Sequence, residues 1–152
     1  MIEALFTELT VELKVEAEDW EDAVRYGGRL LQRAGYAEAR YTEAMVDTIK
    51  RLGGYIVIAP GLAMPHVRPE CGARALGMSL VHLAHPVWFG SEENDPVDII
   101  ISLCARDNSS HLDALGELMR LVEDEALWAG IRGGLCKEKV IEYIQQGKFL
   151  HG

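Results

Sequence analysis

Apolar and polar residues alternate along residues 10–17, and this period of two predicts a half-buried β-strand. After this segment the apolar residues recur every three or four positions, as they do on the buried face of a helix. Asp19 can cap this first helix and Gly35 can end it. The same spacing predicts a second helix from about Glu38 to Leu52. The side chains expected on its inner face are Tyr41, Ala44, Met45, Ile49 and Leu52.

Three short and almost wholly apolar runs follow, and their β-branched residues predict strands that are buried on both faces. These runs are Tyr55–Ala59, Leu76–Leu83 and Val97–Cys104. A helix is expected next, with Leu115, Leu118, Met119 and Val122 on one face, then two short helices at about 124–132 and 137–146. Helices that precede and follow buried strands predict an α/β fold, with a central mixed, mostly buried sheet flanked by helices on both faces.

Length and charge limit the class of protein. The 152 residues contain no linker or low-complexity segment, so we expect a single domain over residues 1–152. A formal net charge of −9 argues against broad nucleic-acid binding and against adhesion to anionic lipid. Three cysteines without a CxxC spacing argue against a disulfide framework. We find no signal-peptide pattern and no apolar run near the ~20 residues of a membrane span, so a cytoplasmic protein without direct membrane insertion is expected.

The most unusual segment, residues 58–70, surrounds His66 with three prolines and one glycine at the exit of a predicted buried strand. Proline fixes φ and removes a backbone donor, so this loop is stiffer than a connection requires. Loops beyond strand ends carry ligands and catalytic groups in α/β proteins. His66 is therefore a candidate nucleophile or proton carrier, and the alternative is a partly exposed histidine in a tight turn.

A second histidine, His111, follows Ser110 at the predicted start of a helix, where free backbone N–H groups favour an anion. Ser110 and Asp113 have the spacing of a capping box. His111 could instead be a surface residue beside the cap. Arg68 could bind a phosphate with its planar guanidinium, or pair with Glu70 on the surface.

Other candidates for chemistry are weaker. His82 and His85 have an HxxH spacing, but on a strand they would point to opposite faces, so a metal site is not expected. Cys104 reads as a core residue, whereas Cys71 could form a dyad with His66 but has no nearby orienting group. The usual nucleotide, metalloprotease and serine-hydrolase motifs do not occur, and no cofactor is expected.

The run Ala59-Pro-Gly-Leu-Ala-Met-Pro-His66-Val-Arg-Pro-Glu70, with Glu92-Glu-Asn-Asp-Pro-Val-Asp-Ile99 further on, resembles the enzyme IIA components of the bacterial sugar phosphotransferase system, mannitol/fructose class. It is most similar to the ascorbate-specific branch. The resemblance implies that His66 is phosphorylated on Nε2 by the carrier protein HPr. It implies that the phosphoryl group then passes to a cysteine of a cognate enzyme IIB, which works with a membrane IIC, for uptake of ascorbate or a related carbohydrate.

The resemblance also assigns the second pocket histidine to His111, and an upstream arginine of mannitol-type members falls near Arg51. Val67 departs from the family, which often has glycine after the active histidine. We expect the helix start at Ser110, His111 and Arg68 to stabilise the phosphoryl group. Nearby Leu62, Met64 and Val67 could form a docking surface or face the core. A homodimer is compatible with the sequence.

Two other functions are considered. A regulatory module of the same family would sense phosphorylation and bind transporters or transcription regulators without feeding sugar uptake. A small hydrolase would use Cys71 or a metal ion instead of His66.

Overall fold

The computed structural model describes residues 1–151 and contains one mixed sheet with helices on both of its faces. The strands are β1 Val11–Val15, β2 Val57–Ala59, β3 Leu62–Ala63, β4 Gly77–Val87 and β5 Val97–Cys104. The α-helices are α1 Trp20–Arg33, α2 Ala39–Leu52, α3 Asn108–Val122, α4 Glu125–Arg132 and α5 Lys137–Gln145. Single 3₁₀ turns lie at Ile2–Leu5, Gly54–Ile56, Pro69–Cys71 and Lys148–Leu150.

The strand order is β1-β4-β5-β3-β2, so the two long apolar strands lie inside the sheet. β4 and β5 are antiparallel, while β1 pairs with β4 and β3 pairs with β5 in parallel. Successive side chains of a strand point to opposite faces, so β5 supplies two cores. Ile99, Ile101 and Leu103 pack beneath α3, α4 and α5, while Ile100 and Cys104 pack beneath α1 and α2. The predicted α/β fold is confirmed.

Several local predictions are confirmed as well. Asp19 caps α1 by accepting a hydrogen bond from the backbone N–H of Asp22. β5 has the predicted bounds, and α2, α4 and α5 each agree with the predicted ranges to within one residue. No helix among residues 1–151 is long and apolar enough to cross a membrane.

Other local predictions are wrong. The run Tyr55–Ala59 is not a strand buried on both faces: its first residues form a 3₁₀ turn, and β2 is a three-residue edge strand. Tyr55 is 50% exposed, because it lies in this turn at the edge of the sheet. Leu52 and Met119 are also exposed rather than buried, and the short strand β3 had no separate sequence signal.

Two adjacent glycines allow α1 to approach its neighbours closely. A Cβ at Gly28 would lie 2.3 Å from Oγ1 of Thr42 on α2. On the sheet side, the hydroxyl of Ser79 donates a 2.9 Å hydrogen bond to the carbonyl oxygen of Gly27. The neighbouring hydroxyl of Ser102 is buried and has no hydrogen-bond partner among the described residues. The close packing against α1 thus sets the position of α2, and the C-terminal end of α2 lines the cavity described next.

Candidate functional site

His66 lies in the loop that leaves β3, and this loop is held against the centre of the sheet. Met64 donates its backbone N–H to the carbonyl oxygen of Ile56 at 2.9 Å. The carbonyl oxygen of Pro65 accepts a 3.1 Å hydrogen bond from the N–H of Leu103 on β5. Pro65 itself is buried, whereas His66 is half-buried. The stiffness expected from the prolines is therefore reinforced by one backbone bond to β5 and one to the 3₁₀ turn before β2.

The tautomer of His66 follows from one contact. Its Nδ1 lies 2.8 Å from the carbonyl oxygen of Met64. A carbonyl oxygen can only accept, so in the neutral ring Nδ1 carries the proton and Nε2 keeps a free lone pair. That nitrogen is the nucleophilic one.

His111 lies beside His66, as the sequence could suggest but not establish. The two ring centroids are 5.5 Å apart and the rings are inclined by 46°. Burial, and secondarily the neighbouring His66, lower the pKa of His111 below its ordinary value. The lowered pKa favours the uncharged form of the His111 ring, which faces the ring of His66.

The first turn of α3 differs from the prediction. The helix begins at Asn108, and its cap is Asp107, whose carboxylate accepts the backbone N–H of Ser110 at 2.7 Å. The expected capping box of Ser110 and Asp113 is therefore wrong. Because its N–H is already bonded to Asp107, Ser110 has no free backbone donor for an anion, and it does not line the cavity at His66. Asn108 lines the cavity instead.

The cavity at His66 has a volume of about 600 Å³ and carries positive charge on an acidic protein. Arg51 from the last turn of α2 and Arg68 from the His66 loop both line it. Within residues 1–151, no salt bridge joins either guanidinium to a carboxylate, and Arg68 does not pair with Glu70. Two unpaired guanidinium groups beside two imidazoles are suited to an oxyanion such as a phosphoryl group.

Sequence reasoning missed Asn108 and gave Arg51 only a position in a family pattern. Thr48 and Arg51 line the cavity from one face of α2, three residues apart, but only the fold shows what that face meets. The helix start at Asn108 was hidden by the sequence Asp107-Asn-Ser-Ser110, in which every residue is a good N-cap.

Of the remaining candidates, Cys104, His82 and His85 do not line the cavity, whereas Cys71 does. Burial raises the pKa of Cys104 to about 12, which confirms it as a core residue. His82 lies 3.8 Å from Asp98, whereas His85 lies near Glu16. No group of three metal-ligating side chains occurs among the described residues. Cys71 does line the cavity, but no hydrogen bond from its thiol to His66 is present in the described chain.

The apolar residues around His66 have two different roles. Leu62 and Met64 are buried in the core beneath α3, so they do not form a docking surface. Val67 lines the cavity. The exposed apolar residues that line the cavity are instead Leu52 and Tyr55.

Comparison with known proteins places these features in a family. The sequence matches, over residues 4–147, the model described as phosphoenolpyruvate-dependent sugar phosphotransferase system, EIIA 2. The ascorbate-specific PTS system EIIA component of Escherichia coli K12 is 41% identical over 138 residues, which are 90% of each chain.

Solved structures agree with this match. The mannitol-specific cryptic phosphotransferase enzyme IIA of Escherichia coli has a TM-score of 0.84 and 31% identity, covering 96% of this chain and 99% of that one. A complex of enzyme IIA(Mtl) with phosphorylated enzyme IIB(Mtl) from Escherichia coli gives a TM-score of 0.79 and 26% identity, with coverages of 94% and 99%.

Proposed function

The chain belongs to the EIIA 2 family of the phosphoenolpyruvate-dependent sugar phosphotransferase system, and on that premise we propose that His66 is its phosphoryl acceptor. Members of this family are phosphotransferases that work through a phosphohistidine, so the chain is a relay component. The observation that carries the assignment is the contact of His66 Nδ1 with the Met64 carbonyl, which leaves Nε2 unprotonated in a cavity with two arginines.

In the accepting step, the lone pair of His66 Nε2 attacks the phosphorus of phospho-HPr. The new N–P bond forms as the donor's N–P bond breaks, and the electron pair of the broken bond returns to the donor imidazole. Transfer of this kind needs positioning and charge stabilisation rather than a general base. Arg51, Arg68, Asn108 and His111 supply the donors that surround the transferred group.

In the donating step, a cysteine thiolate of the cognate IIB attacks the same phosphorus, and the electron pair of the N–P bond returns to Nε2. The structurally similar enzyme IIA(Mtl) forms a complex with phosphorylated IIB, which supports a IIB as the partner here. The exposed Leu52 and Tyr55 at the cavity provide apolar surface of the kind found at the centre of protein interfaces. The whole chain acts as one IIA domain in the cytoplasm, and the IIB works with a membrane IIC.

The substrate of the system follows from the relatives. The ascorbate-specific EIIA component is 41% identical over 90% of each chain, which supports ascorbate or a related carbohydrate as the transported compound. A IIA domain does not touch the sugar, so the specificity resides in its choice of IIB.

Phosphorylation by phosphoenolpyruvate, enzyme I and HPr tests the proposal. We expect one acid-labile and base-stable phosphate on the wild type and none on His66→Ala. Incorporation that persists in His66→Ala would refute the assignment. Addition of the ascorbate-type IIB should then discharge the phosphoprotein, whereas stable phosphorylation in its presence would indicate a purely regulatory module.

Variants of the surrounding residues separate acceptance from donation. His111→Ala should still accept phosphate but pass it on more slowly, and unchanged kinetics would exclude His111 from the pocket chemistry. Arg68→Ala should weaken retention or transfer, because a cation that contacts the phosphoryl group is removed. The matched control is Arg106→Ala, since Arg106 is exposed before α3 and does not line the cavity.

A further inference from the structure

The peptide groups on both sides of His66 are tied to a single residue of β5. Before His66, the carbonyl oxygen of Pro65 accepts the N–H of Leu103 at 3.1 Å. After His66, the N–H of Val67 donates to the hydroxyl of Tyr41 at 3.2 Å, and that hydroxyl donates to the carbonyl oxygen of Leu103 at 2.6 Å. The backbone of His66 is therefore held at both ends.

Tyr41 supplies the side-chain link in this arrangement, and protein atoms enclose it. It projects from the first turn of α2 and is fully buried. Burial raises the pKa of Tyr41 above its ordinary value, so the hydroxyl remains a donor at any physiological pH. The carbonyl oxygen of Val67 lies 3.1 Å from the same hydroxyl and is a second acceptor within reach.

We propose that Tyr41 is a positioning residue for phosphoryl transfer, which it serves by fixing the loop on both sides of His66. The inference rests on the proposed function of His66. Without the hydroxyl, the N–H of Val67 and the C=O of Leu103 lose a shared partner where the loop meets β5, and the loop can shift to satisfy them elsewhere. A shift of the loop loosens the contact of Nδ1 with Met64, which selects the nucleophilic Nε2.

The test compares Tyr41→Phe, which keeps the buried ring and removes only the hydroxyl, with Tyr143→Phe. The hydroxyl of Tyr143 also makes partly buried hydrogen bonds, at 2.9 and 3.1 Å to the carboxylate of Asp124. Tyr143 lies on α5 and does not line the cavity. For Tyr41→Phe we expect kcat with phospho-HPr to fall about tenfold while KM changes by less than about twofold, since orientation rather than binding is lost. The control should match the wild type.

Two nuclear magnetic resonance measurements report the mechanism itself. The ¹⁵N shifts of the neutral His66 ring should show mainly the Nδ1–H tautomer in wild type and Tyr143→Phe, and a mixture of both tautomers in Tyr41→Phe. In the wild type, the Val67 amide should exchange with solvent slowly, as a bonded N–H does.

The kinetic and resonance measurements can each contradict the role proposed for Tyr41. A Tyr41→Phe protein with wild-type kcat and an unchanged His66 tautomer would overturn the inference. So would a decrease in the rate of Tyr41→Phe that is fully explained by a smaller fraction of folded protein. Rapid exchange of the wild-type Val67 amide would overturn it even if Tyr41→Phe did not fold. If the wild type itself takes no phosphate on His66, the proposed function fails, while the tautomer comparison still decides whether Tyr41 holds the His66 ring in its Nδ1–H form.

Discussion

The contact between α1 and α2 predicts that replacing one helical glycine with alanine destabilises the protein, whereas the same change in another helix stabilises it. The two changes are Gly28→Ala in α1 and Gly116→Ala in α3. Both remove a glycine from a helix interior, which by itself stabilises by about 1 kcal/mol. The difference between them therefore measures the space around each added methyl group.

The structure sets the size of that difference. A Cβ at Gly28 would lie 2.3, 2.5 and 2.8 Å from Oγ1, Cγ2 and Cβ of Thr42, whereas ordinary contacts begin at 3.4 Å. Rotation of the Thr42 side chain does not help, because its own Cβ is one of the atoms in conflict and its Oγ1 accepts a hydrogen bond from Gln32. The helices must separate instead. A Cβ at Gly116 meets nothing within 4 Å.

Overpacking of this kind costs about 1–3 kcal/mol, and we take the upper part of that range because three atoms conflict. After the gain in helix propensity, Gly28→Ala should lower the free energy of unfolding by about 1–2 kcal/mol. Gly116→Ala should raise it by about 0.5–1 kcal/mol.

Urea denaturation followed by circular dichroism measures both changes. With slopes of about 1–3 kcal/mol per M for small proteins, the two midpoints should move in opposite directions and differ by about 1 M. An upward shift of the midpoint for Gly28→Ala, equal to that for Gly116→Ala, would refute the close packing of α1 on α2.

Two further predictions concern buried polar groups. Ser102→Ala should leave the free energy of unfolding unchanged or raise it, because the buried hydroxyl has no partner among the described residues. Ser79→Ala should lower the free energy of unfolding by about 0.5–1.5 kcal/mol, because the hydrogen bond to Gly27 is lost. Urea midpoints that rank the two variants the other way would contradict this prediction. Burial lowers the pKa of His82 below its ordinary 6.5, so the unfolded chain binds the proton first, and stability should fall as the pH drops below about 6.5. Urea midpoints between pH 5 and 8 should show a flatter dependence for His82→Asn than for the wild type, with His111 supplying the part of the slope that remains; equal slopes would show that His82 does not contribute.

The sequence predicted elements well where periodicity was long or unbroken. Six of the eight residues of Val97–Cys104 are apolar, which predicted a buried strand, and the amphipathic spacing of α2 predicted a helix. The run Tyr55–Ala59 was misassigned because a short apolar segment carries no information on whether it lies inside a sheet or at its edge. That difference depends on which strands pair, and β2 pairs only with the two-residue strand β3.

The site was predictable in its residues but not in its assembly. The prolines identified His66, and the polar loop before α3 identified His111, but their approach to 5.5 Å requires β3 to pair with β5. Arg51 lies 15 positions before His66 in the sequence and reaches the same cavity only through the packing of α2. Tyr41 was assigned to the core on periodicity, which is correct for its ring and silent about its hydroxyl.

The cap of α3 changes which groups can hold an anion at the cavity. Hydrogen bonds from the helix start lower the pKa of the exposed Asp107, and its carboxylate occupies the N–H of Ser110. This negative charge offsets the positive end of the α3 dipole. An anion in the cavity would therefore depend on the side chains of Arg51 and Arg68 rather than on the end of a helix.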